Sequence, residues 1–181
     1  KDRVHAVNIT DGSRAVMRMC SLAMSRLILE NGIEPVMQIS CRDRNKIALQ
    51  SDILGANALG IKNILCITGD SVKAGDQQNT KPVHEFESVK LLQQIQSFNN
   101  GIDPTYKLLS DNKTEIFAGA AADPTYKNLK VLKKRTIQKK EAGARFIQTQ
   151  MIMDKKYLVD FCDEISKPLN IPVLAGVFLL K

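Results

Sequence analysis

Several short stretches place reactive side chains directly after apolar runs. Thr68-Gly69-Asp70 follows NILCI, Gln148-Thr149-Gln150 follows RFI, and Ser40-Cys41-Arg42-Asp43 follows EPVMQI. In Thr68-Gly69-Asp70, the glycine lets a backbone approach a flat ligand closely, and Asp70 adds a fixed negative charge beside it. Gln150 is neutral and offers both a donor and an acceptor, which suits the edge of an amide-like heterocycle. An ordinary surface glutamine at a strand end fits the same pattern. Arg42 and Arg44 flank Asp43, and either pair with it or bind phosphate. Thr10-Asp11-Gly12-Ser13 and Gly119-Ala120-Ala121-Ala122-Asp123 close two further apolar runs. Asp11 or Ser13, Asp43, and Asp123 or Thr125 also fit the role of helix N-caps. Thr68-Gly69-Asp70 fits that role less well, because a long polar loop, Gly69–Pro82, follows it.

Other chemistries lack their residues. There is no G-x-G-x-x-G and no P-loop. Neither His5 nor His84 stands at the carboxyl end of a predicted strand, so a Ser-His-Asp device is unsupported. Cys20, Cys41, Cys66 and Cys162 form no C-x-x-C pair and sit among mostly apolar neighbours. Reduced thiols and a cytoplasmic location are expected, and a zinc site of the usual spacing is not. No apolar run approaches the ~18 residues of a membrane span, and the opening KDRVHAVNIT lacks the apolar core of a secretory signal.

These residues need elements to hold them. The chain has 181 residues, 44% of them apolar, which suits one domain, residues 1–181, with a sizeable core. Strands are predicted over Val4–Thr10, Glu34–Ser40, Asn63–Thr68, Glu115–Ala120, Arg145–Gln150 and Pro172–Val177. Helical spacing of apolar residues predicts helices over Arg14–Glu30, Arg44–Leu59, Glu85–Phe98, Thr125–Ala142 and Lys155–Leu169. Most strands recur about every 30 residues, the length of one βα unit. Strict alternation of this kind means a parallel sheet, either open and doubly wound or closed as a (β/α)8 barrel, and both place ligands at the carboxyl ends of the strands. The sequence D-P-T-Y-K occurs at Asp103–Lys107 and again at Asp123–Lys127, an offset that does not match the βα period and reads as chance. Lys plus Arg total 26 against 19 Asp plus Glu, and the excess is concentrated in KNLKVLKKRTIQKK, Lys127–Lys140. A solvated helix face accounts for this most simply, a phosphate-bearing ligand comes next, and nucleic acid last. With no Trp, three Tyr and six Phe, the chain has few platforms for stacking bases, and no nucleic-acid partner is expected.

VNITDGSRAVMRM (Val7–Met19), QISCRDRN (Gln38–Asn45), ALQSDILGA (Ala48–Ala56), ITGD (Ile67–Asp70) and EAGARFIQTQ (Glu141–Gln150) together resemble methylenetetrahydrofolate reductase, the flavin enzyme of one-carbon metabolism. The resemblance covers most of the chain. It implies a (β/α)8 TIM barrel, of which six βα units are represented, with FAD at its carboxyl face. It also implies NADH or NADPH as the reductant of the flavin, followed by hydride transfer to methylenetetrahydrofolate, giving 5-methyltetrahydrofolate. By the same resemblance, Thr10, Gln38, Thr68, Gly69 and Asp70 contact the flavin, and Lys139 lies near its phosphates. Asp70 is the catalytic carboxylate beside the folate, and Gln150 contacts folate and nicotinamide in turn.

There are departures from the family pattern. Gln38 stands where many members have His, and Asp11 where many have an aromatic or another small-loop residue. Ala120–Asp123 lacks the Tyr and His that some members place around the adenosine half, and Arg135 and Gln138 replace the usual Asn and Arg. The family's general-acid Glu lies on a first strand that has no counterpart in the sequence given. The expectation is therefore a central part of a larger barrel, with little reductase activity on its own. The competing expectation is a non-catalytic flavin- or folate-binding subunit. A homo-oligomer or a larger one-carbon assembly is expected in either case.

Overall fold

The computed structural model describes residues 4–109 and 113–178. Six strands form one sheet in sequential order, and every neighbouring pair is parallel. They are β1 (Ala6–Ile9), β2 (Glu34–Ser40), β3 (Asn63–Ile67), β4 (Phe117–Ala122), β5 (Phe146–Ile152) and β6 (Val173–Val177). Between them lie α1 (Ser21–Glu30), α2 (Lys46–Ala58), α3 (Ser88–Asn99), α4 (Leu129–Glu141) and α5 (Lys155–Phe161), the last running on through a π-helical turn to Leu169. Six parallel strands with their helices form a half-barrel, an α/β arrangement compatible with part of a TIM barrel.

Alternation along the strands divides the side chains between two faces. Met37, Ile39, Ile64, Cys66, Ala118, Ala120 and Ile147 point toward the helices. There they meet Leu49, Ile53, Leu91, Ile95, Phe98 and Phe161, each at most 1% exposed. A smaller cluster of Val36, Leu65 and Phe146, with Ile67 against it, lies on the other face. Gly119 makes room for this cluster. A Cβ there would lie 2.3 Å from the Phe146 ring, which stacks on Phe117 with centroids 5.5 Å apart. Phe146 thus crosses β4 where any side chain would block it.

Element boundaries depart from expectation where backbone groups find other partners. The first helix begins at Ser21, not Arg14. Gly12, Arg14 and Ala15 all take left-handed backbone angles, and the Arg14 N–H leaves the helix to bond Asp70. The apolar spacing at Val16 and Met17 is misleading, since Met17 is exposed and the stretch is extended. β4 starts at Phe117 because side chains hold the two preceding N–H groups: Asn57 takes that of Glu115 and Asn99 that of Ile116. α4 starts at Leu129, capped by Asn128, which accepts from the Val131 N–H. The two D-P-T-Y-K segments adopt the same local turn, in which the aspartate accepts from the N–H and hydroxyl of the threonine two residues on. One precedes β4 and the other follows it, so they share a turn and not a βα repeat.

All four cysteines are free. Burial, then the charge of Glu87, pushes the Cys41 thiol up to about 12. Burial also raises Cys66 well above the ordinary thiol value, with Cys41 adding to the effect. Cys20 is exposed. Because the thiolate is the reactive form, a thiol reagent at pH 8 is expected to label Cys20 rapidly, and Cys41 and Cys66 only once the chain unfolds. Peptide mass mapping with and without denaturant measures this, and native-state labelling of Cys41 at the rate of Cys20 would contradict the packing described. No described helix is long and apolar enough to cross a membrane.

Candidate active site

The carboxyl ends of β1, β2 and β3 are tied together by charged groups. Asp11 is buried, and its Oδ2 accepts the Ser40 N–H at 2.8 Å. Arg44 donates to both oxygens of Asp11, at 2.7 and 3.2 Å, and its Nε pairs with Asp52 at 2.8 Å. Burial works against the charge on Arg44, but the hydrogen bond and charge of Asp11, with Asp52, more than offset it and hold the guanidinium above its ordinary value. Paired with Arg44 and bonded to the Ser40 N–H, the buried Asp11 avoids the cost of a charge standing alone. Arg42 forms a fork on Asp43, from Nε at 2.7 Å and Nη2 at 2.6 Å. Asp11 and Asp43 are thus ion-pair partners and not helix caps; Asn45 caps α2 by accepting from the Ala48 N–H. Asp123 holds the turn at Thr125, and the cap of α4 falls to Asn128. Arg42 thus pairs with Asp43 as expected, whereas Arg44 passes it by and pairs with Asp11 and Asp52.

A cavity of about 440 Å³ opens at these strand ends, and Thr10, Gln38, Thr68, Gly69, Asp70 and Gln150 all line it. The Asp70 carboxylate receives the Arg14 N–H at 2.8 Å on Oδ2. Gly69 has φ +96°, and a Cβ there would lie 2.3 Å from Ser40 Oγ and 2.8 Å from the Arg42 Cβ. The requirement for glycine therefore comes from the end of β2, against which this backbone packs. Gln38 donates from Nε2 to Asn8 Oδ1 at 3.2 Å. Asn8 and Gln148 line the cavity as well. The sequence reading missed Asn8, although its place two residues before Thr10 puts it on the same strand face.

Lys139 does not reach this cavity. It lines an adjoining recess of about 190 Å³ with Asp123, Tyr126 and Arg135, and Gln150 borders both spaces. Lys139 Nζ donates to the Ala121 carbonyl at 2.6 Å. Burial first, and then the nearby Arg135 charge, lower its pKa from the ordinary lysine value. The Arg135 guanidinium lies over the Tyr126 ring, 5.2 Å from its centroid. Tyr126 is the aromatic side chain lining this recess. Among the described residues, no group of three or more His, Cys, Asp or Glu side chains is placed to hold a metal ion.

The arrangement offers the Asp70 carboxylate, the amides of Asn8, Gln38, Gln148 and Gln150 and the hydroxyls of Thr10 and Thr68 around one cavity, with the half-buried ammonium of Lys139 beside it. That set suits a polar heterocycle carrying a phosphorylated tail. A family model described as Methylenetetrahydrofolate reductase matches residues 2–181, nearly the whole chain. A parallel sheet whose carboxyl ends gather these groups, and a match of this extent, lead to one assignment: the chain belongs to the methylenetetrahydrofolate reductase family.

Proposed function

We propose that this chain forms the flavin and folate site of an FAD-dependent enzyme reducing 5,10-methylenetetrahydrofolate to 5-methyltetrahydrofolate, with NADH or NADPH as electron donor. The observation that carries the reading is that Thr10, Gln38, Thr68, Gly69, Asp70 and Gln150 line one cavity at the strand ends, with Lys139 in the space next to it. The six βα units would be the central part of an eight-stranded barrel.

The residues fit the cofactor. The larger cavity has the polar lining a flavin ring needs, with Thr10, Gln38 and Thr68 as partners for its polar edge. The smaller recess offers Lys139 and Arg135 to phosphates, and Tyr126 to the adenosine half. Bound FAD would supply hydride transfer. Asp70 would set its negative charge against the cationic iminium form of the folate, favouring that form over the neutral ring-closed one. Gln150 would orient the pterin and the nicotinamide in turn, because its amide both donates and accepts. Neither role requires Asp70 or Gln150 to exchange a proton.

The test is spectroscopic. The full-length protein should purify with a flavin spectrum that NADH or NADPH bleaches and methylenetetrahydrofolate restores. A flavin that is retained but never bleached would favour the non-catalytic subunit. Lys139→Gln removes one charge from the phosphate recess. Charge-assisted hydrogen bonds contribute about 1.5–3 kcal/mol, so FAD affinity should fall by roughly ten- to a hundredfold, measured by flavin fluorescence titration. Unchanged affinity would remove Lys139 from the site.

A further inference from the structure

We infer that Arg42 is the positioning residue for Asp70, locking together the two loops that present its carboxylate. The inference rests on the functional reading above for its consequence in catalysis, and on geometry alone for the lock itself. Arg42 is 4% exposed, yet its side chain reaches three segments. Nη2 donates to the Gly12 carbonyl at 3.1 Å, Nη1 to the Asp70 carbonyl at 3.4 Å, and Nε and Nη2 to Asp43. Its backbone adds a fourth tie, because the Arg42 carbonyl accepts the Val83 N–H at 2.7 Å, at the far end of the loop that begins with Gly69.

The consequence follows from where the partners lie. Gly12 precedes Arg14, whose N–H holds the Asp70 carboxylate. Asp70 follows Gly69, whose backbone packs on the Arg42 Cβ. One guanidinium therefore fixes the donor loop and the acceptor loop at the same time, and Asp43 keeps its plane from turning. The Gly12–Ala15 turn needs such a hold, since Arg14 and Ala15 keep φ values of 58° and 55° that non-glycine residues seldom adopt. A lysine retains the charge but not the planar fork, so it cannot make these bonds together.

Arg42→Lys in the full-length flavoprotein separates the possibilities. Expected are unchanged flavin content, bleaching by NAD(P)H within about twofold of the parent, and kcat/KM for methylenetetrahydrofolate lowered about 10- to 100-fold, the scale of a misplacement near 1 Å. A second readout needs no turnover: hydrogen exchange at the Arg14 amide should accelerate about tenfold or more, while amides of β2 and β3 stay protected. An unchanged folate step with unchanged Arg14 exchange overturns the inference. So does an equal loss of bleaching, folate reduction and strand protection, which would make Arg42 merely structural. If the parent protein neither bleaches nor reoxidises, the functional reading fails, and the exchange measurement still decides the lock. Should Arg42→Lys not fold, Asp43→Asn, at a side chain 41% exposed, frees the same plane and is read in the same way.

Discussion

Replacing Asp70 by Asn should slow the reoxidation of reduced flavin by methylenetetrahydrofolate about 10²- to 10³-fold, the usual effect of removing one preorganised electrostatic partner. The substitution keeps the shape of the side chain, and its amide oxygen can still accept the Arg14 N–H that now holds Oδ2. What it removes is the full negative charge lining the cavity. The ion pairs nearby cannot replace it, since Asp11 is committed to Arg44 and Asp43 to Arg42. The unfolding midpoint should stay close to that of the parent, because Asp70 belongs to an exposed loop and not to the core. Stopped-flow absorbance of the flavin measures the two half-reactions separately. A folate step at the parental rate would show that the charge on Asp70 does not act in the reaction.

Gly69→Ala should destabilise the fold by about 2–4 kcal/mol, adding the cost of a left-handed backbone to that of overpacking. The backbone here has φ +96°, and the new methyl would meet Ser40 Oγ and the Arg42 Cβ at 2.3 and 2.8 Å. Ser40 cannot withdraw freely: its N–H is bonded to Asp11 and its Oγ accepts the Arg42 N–H. Gly55→Ala provides the contrast. It lies inside α2, where a Cβ would find only Leu22 Cδ2, at 3.7 Å. There the exchange should stabilise by up to about 1 kcal/mol. Urea unfolding of both variants gives the comparison, and equal midpoints would mean that the loop yields easily at Gly69.

The sheet was legible because buried parallel strands are written as short apolar runs at βα spacing, and NILCI and EPVMQIS became β3 and β2 almost to the residue. Thr68, Gly69, Asp70 and Gln150 were legible from the same runs, as polar groups at their carboxyl ends. The turn at Gly12–Ala15 was not. Val16 and Met17 carry helical spacing, and nothing local in the chain announces that the Arg14 N–H is used by a residue 56 positions away. Nor could spacing disclose that Gly119 serves Phe146, since that contact joins two strands side by side. The position of Lys139 came only from the family resemblance. Its place on a basic helix resembles that of its neighbours, and its bond to the Ala121 carbonyl with partial burial sets it apart.

Gln150, which borders both cavities, has a consequence for the order in which ligands come and go. Its amide has two faces of opposite polarity but only one orientation at a time. A molecule in the larger space that turns the carbonyl toward itself leaves the NH₂ group for whatever occupies the smaller one. Thermodynamic linkage makes such a preference mutual: by whatever factor one occupant favours the other, it is favoured in return. The two affinities would then share one coupling factor, carried by one rotatable bond.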